Sequence, residues 1–242
     1  MEYMAMAGWK GADMVRGIDG IMNLAAASGE DLASTSDIVT DALTAFGMTA
    51  SESGRFADVL AAASSNANTN VAMLGESFQY VAPLAGTLGY TAEDTSIALG
   101  LMANAGIKGS QAGTSLKTAL ARLSAPTAKQ AAAMKKLGIS LTDGEGNMKS
   151  LREVMGDLRT SFAGMSESEQ AAAASTIFGK EAMSGMLAII NAGESDFDKL
   201  TAAIDGSAGA AERMAAVRLD NLEGDITLLK SAAEGLGIEI YQ

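Results

Sequence analysis

What acid–base chemistry this chain could perform falls to its carboxylates. His and Cys are both absent from the 242 residues, which removes the imidazole base, the usual zinc ligands, thiolate chemistry and disulfides. Two carboxylate pairs stand out, Glu93/Asp94 and Glu167/Glu169. Each sits in the first turn of an expected helix, where an acid stabilises the positive end, and capping accounts for both. Glu76, in LGESFQY, is the type of residue that serves as general acid in glycan cleavage, but no second carboxylate or sugar-cleft motif accompanies it. Gly106, Gly109 and Gly113 superficially resemble a phosphate loop. No Lys follows Gly113 and no strand precedes the run, so the glycines read as a tight junction between helices. Asp143, Glu145 and Asn147 alternate as calcium ligands do. The required Gly at the sixth position is Met148, however, and the required Glu at the twelfth is Val154. These patterns lead us to expect no catalytic residue, no metal and no cofactor.

The elements that carry these residues read as helices. Hydrophobic residues make up 48% of the chain but aromatics only 5%, with Gly 27 and Met 15, so burial relies on small or adaptable side chains. A helical fold of modest stability per residue is expected. Capping boxes occur at Thr49/Glu52, Ser150/Glu153 and Ser166/Glu169, with Asp-ended variants at Ser28/Asp31 and Thr91/Asp94. Behind them the apolar period is helical, as at Phe56, Val59, Leu60 and Ala63, or Leu116, Ala119, Leu120 and Leu123. Helices are predicted near 11–27, 34–46, 50–65, 71–86, 92–105, 110–123, 127–137, 150–163, 167–178, 180–191, 195–205 and 208–235. Pro83 should kink or end its helix, and Pro126 suits a first helical position.

The expected class is therefore all-α: a compact bundle of short helices over 1–205, with one small β-hairpin near 139–149. There Ile139–Thr142 and Asn147–Lys149 flank the turn sequence Asp143-Gly144-Glu145-Gly146. One weak repeat is visible. Ala45–Ala50 and Thr87–Ala92 share a loop, a cap and a following helix, 42 residues apart, which suggests duplication within one domain. From about Ser207 the apolar residues Met214, Val217, Leu222, Ile226, Leu229 and Leu236 trace a longer amphipathic helix. Residues 206–242 read as the start of an extended segment, truncated at Gln242.

Charge is uneven. The formal net charge is −12, yet residues 95–142 contain no Asp or Glu and hold Lys108, Lys117, Arg122, Lys129, Lys135 and Lys136. Those six cations leave −18 for the remainder. An acidic body with one cationic segment steers towards acidic partners. The alternatives are internal complementarity with acidic helices of the same chain, a partner protein, or an anionic membrane surface. Nucleic acid fits poorly, because the segment has one Arg and no aromatic residue for stacking. No stretch reaches the roughly 20 apolar residues of a membrane span, and Ala182–Ile190 is too short. The N-terminal MEYMAMAGWKG does not read as a signal peptide.

Four segments resemble the core region of phage tail tape measure proteins: GMTASESGRFADVLAAAS, NTNVAMLGESFQYVAPLAGTLG, ALGLMANAGIKGSQAGTSL and LGISLTDGEGNMKSL. They come in that family's order, and the resemblance spans about residues 8–205. It implies a structural protein, not an enzyme, of a siphophage or myophage tail or a prophage, which sets tail length during assembly and is ejected ahead of the DNA. The implied partners are tail tube and tail assembly chaperone proteins, other tape measure copies, and the host membrane during ejection, with no sequence-specific nucleic acid. The implied locations are the virion tail lumen and, during assembly, the host cytoplasm. The competing class is a membrane-active or pore-forming helical protein assisting genome entry. A ruler needs length linear in residue number, as in one helix rising about 1.5 Å per residue. Glycines and caps interrupt residues 1–205 throughout, so the measuring element is expected elsewhere, beginning near 207.

Overall fold

Caps divide this chain into short helices, and the computed structural model describes residues 2–220 of it. Among them are thirteen α-helices and one 3₁₀ turn. They are α1 (Glu2–Met6), α2 (Gly11–Ser28), α3 (Leu32–Ala45), the 3₁₀ turn Ala50–Glu52, α4 (Ser53–Asn66), α5 (Val71–Thr87), α6 (Ala92–Asn104) and α7 (Gly109–Ser124). The chain continues through α8 (Ala128–Leu137), α9 (Leu151–Phe162), α10 (Glu167–Phe178), α11 (Lys180–Ile190), α12 (Glu194–Asp205) and α13 (Ala210–Leu219). The all-α expectation holds. Residues 221–242, where most of the long C-terminal helix was expected, lie outside the described residues.

Five of the helices stop by one device. The N–H groups of Trp9, Met48, Tyr90, Ile107 and Ile139 donate to the carbonyls of Met4, Leu43, Ala85, Met102 and Met134, at 2.8 to 3.0 Å. The residue before each donor is a glycine with positive φ, the left-handed backbone that closes such a turn. All five donors carry large side chains, and each folds back onto the core: Tyr90 and Ile139 are buried, and Trp9, Met48 and Ile107 pack against it. Each stop thereby reverses the chain and adds a core side chain in the same step.

α6 lies at the centre. Every residue from Ala92 to Ala103 except Glu93 is buried, because α4, α5, α7, α9, α11 and α12 all pack on it. Around it Phe78 packs edge-to-face on Phe56 and Phe46, with ring centroids 5.4 and 5.9 Å apart. Phe162 and Phe178 stack at 6.4 Å on the other side. Small residues bring backbones together between these aromatics. Gly20 of α2 lies against the backbone of Ser53 and Gly54 at the start of α4, where a Cβ would collide. The Tyr90 hydroxyl is buried without a hydrogen-bond partner among the described residues, and burial pushes its pKa up to about 12.

Four local expectations need correction. No strand forms at 139–149; a single antiparallel bridge joins Thr142 and Met148. Two backbone hydrogen bonds cross the arms, from the Asp143 N–H to the Asn147 carbonyl at 2.9 Å and from the Lys149 N–H to the Leu141 carbonyl at 2.8 Å, and the Asp143 carboxylate also accepts from the N–H groups of Glu145 and Asn147, both at 2.9 Å. Ser28/Asp31 is not a capping box. Ser28 ends α2 and donates back to the Leu24 carbonyl, while Asp31 itself caps α3 through the Ser34 N–H. Pro126 stands before the cap Thr127 instead of at the first helical position. Pro83 does not end α5, which runs on to Thr87.

Candidate contact surface

The six cations belong to α7 and α8. Lys108 is the N-cap of α7, Lys117 and Arg122 lie along it, and Lys129, Lys135 and Lys136 lie on α8. Lys117, Lys129, Lys135 and Lys136 are exposed; Lys108 and Arg122 are half-buried. None of the six forms an ion pair among the described residues. They do not make one patch. Lys129 and Lys136, seven residues apart, share one face of α8, while Lys135 turns to another. Arg122 lies against Gly179 at the joint of α10 and α11. Lys136 is near Glu169, whose carboxyl is held below its ordinary 4.5 first by hydrogen bonds from Ser166 and only then by that lysine.

The glycine run is a helix junction. Gly113 faces the Ser77 backbone of α5, where any side chain would collide, and the Ser77 hydroxyl donates to the Gly109 carbonyl at 2.8 Å. Glu76 lies beside Gly109 at the start of α7, so its carboxylate faces a helix N-terminus and not a cleft.

The carboxylate pairs divide. Glu169 returns to the Ser166 N–H at 2.9 Å, as a cap should. Glu93 and Asp94 do not. Thr91 accepts from the Asp94 N–H, but both carboxylates turn to arginines of other helices. Glu93 takes Arg55 of α4 at 2.7 Å. Asp94, 6% exposed, takes both the side chain of Arg152 at 3.1 Å and its backbone N–H at 3.2 Å. Arg152 also forks onto Asp205 at 2.8 and 2.9 Å, tying together α6, α9 and α12. Burial raises the Glu93 carboxyl, but the Arg55 guanidinium and the local backbone outweigh it and hold the group below 4.5. The Asp205 carboxyl is likewise lowered, chiefly by its hydrogen bond from Arg152. Sequence reading missed these pairs, and no spacing rule could find them, since their partners lie 38 to 58 residues apart.

Two further features escaped it. Asp58 of α4 accepts from the Gly209 and Ala211 N–H groups at 2.8 and 2.9 Å, capping α13 from a distant helix. A groove of about 640 Å³ opens between the ends of α5 and α7, α8 and the 139–148 turn. Leu88 faces residues drawn from 123–148 across it, and neither stretch by itself signals that meeting.

A family model described as phage-related minor tail protein matches residues 1–179, through the end of α10. The tape measure protein of Pneumococcus phage Dp-1 is 40% identical over 242 residues, which is 100% of this chain and 21% of that relative. The probable tape measure protein of Escherichia phage P2 is 30% identical over 223 residues, covering 91% of this chain and 27% of its own length. The chain thus spans well under a third of these relatives. No solved structure matches. With the family match running unbroken from α1 to α10, this chain belongs to the phage-related minor tail proteins.

Proposed function

We propose that this chain is the folded core module of a tape measure protein, a structural part of a bacteriophage tail. The observation that carries this is 40% identity along the whole chain to a relative bearing that name. In this reading the parent protein sets tail length during assembly in the host cytoplasm, occupies the tail lumen, and leaves ahead of the DNA. Its partners are tail tube proteins, assembly chaperones and other copies of itself. No catalytic role is proposed: the carboxylates that could act are spent on arginines, caps and a helix end. No helix of the described residues is long and apolar enough to cross a membrane.

Within that role we assign residues 1–205 to a module that does not measure, and the ruler to the segment beginning near 206. Short helices folded back around α6 support this, because adding residues to such a body does not lengthen it. The cationic residues of α7 and α8 serve as contacts to acidic tail partners, which fits their lack of ion pairs among the described residues. Tail length in a phage carrying this chain is the test. Heptads inserted after residue 220 should lengthen the tail by about 1.5 Å per added residue. Residues inserted in the exposed 143–147 turn should leave it unchanged. A tail that lengthens with turn insertions would overturn the division, and normal tails after deletion of the chain would overturn the role.

A further inference from the structure

We propose that the groove beside α8 receives the apolar face of an acidic amphipathic helix from a partner protein. Its walls are Leu88, Leu123, Met134, Ile139, Leu141 and Met148. The polar side chains among them are already satisfied within the chain. The Ser124 hydroxyl donates to the Ala121 carbonyl at 3.1 Å, and the Ser140 hydroxyl to the Thr142 carbonyl at 2.8 Å. The Ser140 and Thr142 hydroxyls lie 3.3 Å apart, within hydrogen-bond reach of each other. What remains to recognise a ligand is apolar surface and one cation. Among the described residues Lys135 is the only charged one lining the groove, and it forms no ion pair with any of them.

Charge selects the occupant. Among the described residues the groove lining has no carboxylate, residues 95–142 contain none, and of the two on the adjoining turn, Asp143 is engaged by the Glu145 and Asn147 N–H groups, which leaves Glu145. On the same face of α7 as Ser124, Lys117 stands two turns back, so cations extend along one approach to the groove. A basic helix would meet these lysines with like charge, while a helix carrying Glu or Asp beside a Leu or Met stripe would meet them with opposite charge. Recognition of this kind places residues at i, i+3, i+4 and i+7 into an apolar trough. Met148, 45% exposed at the rim, supplies an adaptable thioether wall for such side chains. This deepens the assembly reading by giving one contact its chemistry, and it is tested on the purified chain, so it can fail while the tail-length result stands.

The probe is a labelled peptide of about 15 residues, with Leu at helical spacing and Glu and Ala elsewhere, titrated with the whole chain by fluorescence anisotropy. Saturable binding is expected, weakening with added salt. Lys135→Glu and Met148→Asp should each weaken it by about tenfold. Both positions are exposed, so circular dichroism should report an unchanged fold. No binding, equal binding of a peptide with Lys in place of Glu, or insensitivity to both variants would overturn the proposal. So would binding confined to phosphatidylglycerol vesicles, or self-association of the chain through this groove.

Discussion

Thr49–Glu52 and Thr91–Asp94 carry the same local signature 42 residues apart, yet their acids end in different places. Glu52 does what a capping acid does, accepting from the Thr49 N–H at 2.8 Å at the surface, and it also meets the exposed Arg55 side chain at 3.3 Å. Asp94 occupies the equivalent position on the helix that every neighbour covers. There its carboxylate leaves Thr91 and pairs with Arg152. The preceding turns remain alike: Gly47 and Gly89 both have positive φ, at 66° and 78°, and both are followed by a large residue bonded back to the helix. The backbone half of the motif is therefore local property, and the carboxylate half is set by what surrounds it. Desolvation explains the split, since a buried acid needs a cation more than an extra cap bond.

Substitution should separate the two copies most sharply at their arginines. Arg152→Leu leaves Asp94 buried with the backbone N–H but without its cation, and should cost about 3 kcal/mol in urea unfolding, near the low end for breaking a buried pair. Arg55→Leu removes a cation whose side chain is 53% exposed, and it should cost less than about 1 kcal/mol. Equal losses would erase the distinction between the copies. The glycines should instead behave identically. Gly47→Ala and Gly89→Ala each meet open space, so only the left-handed backbone penalises them, by about 1 kcal/mol apiece. A much larger loss at one of them would show that packing, not backbone, governs that turn.

Acid sharpens the same comparison by a smaller amount. Arg152 holds the Asp205 carboxyl below its ordinary 3.8. A group lowered in the folded state contributes stability that is present above its unfolded value and lost as pH falls through the folded one. Part of the Arg152→Leu deficit should therefore shrink below pH 3.8 and be complete at neutral pH. Thermal unfolding of wild type and variant at pH 7 and pH 3 tests this; a gap that widens in acid would show that Asp205 is not the linked group.

Much of the fold was legible in the residues. The predicted helix over 71–86 is found as Val71–Thr87, and that over 167–178 as Glu167–Phe178. Such ends are written by a cap, a helical apolar period and a stop, all acting within a few residues. The hairpin at 139–149 failed for a related reason. Its turn residues were read correctly as a turn, but Asp143 captures two amides itself, and Ile139 and Leu141 are buried against neighbouring helices, so the pairing stops at one bridge. The cations of α7 and α8 were visible as a list, but their division among several faces was not.

Alone, then, the order of residues determined that this chain forms many short helices with glycine stops and no thiol or imidazole chemistry. Those properties follow from composition and from interactions within one or two helical turns. Tertiary structure alone decided that Asp94 serves as an ion-pair partner, that Asp58 caps α13 from α4, and that Leu88 at the end of α5 meets the 123–148 stretch across a groove at Lys135. Each of these joins groups far apart in sequence, and which groups meet depends on how whole helices pack before any side chain can choose a partner.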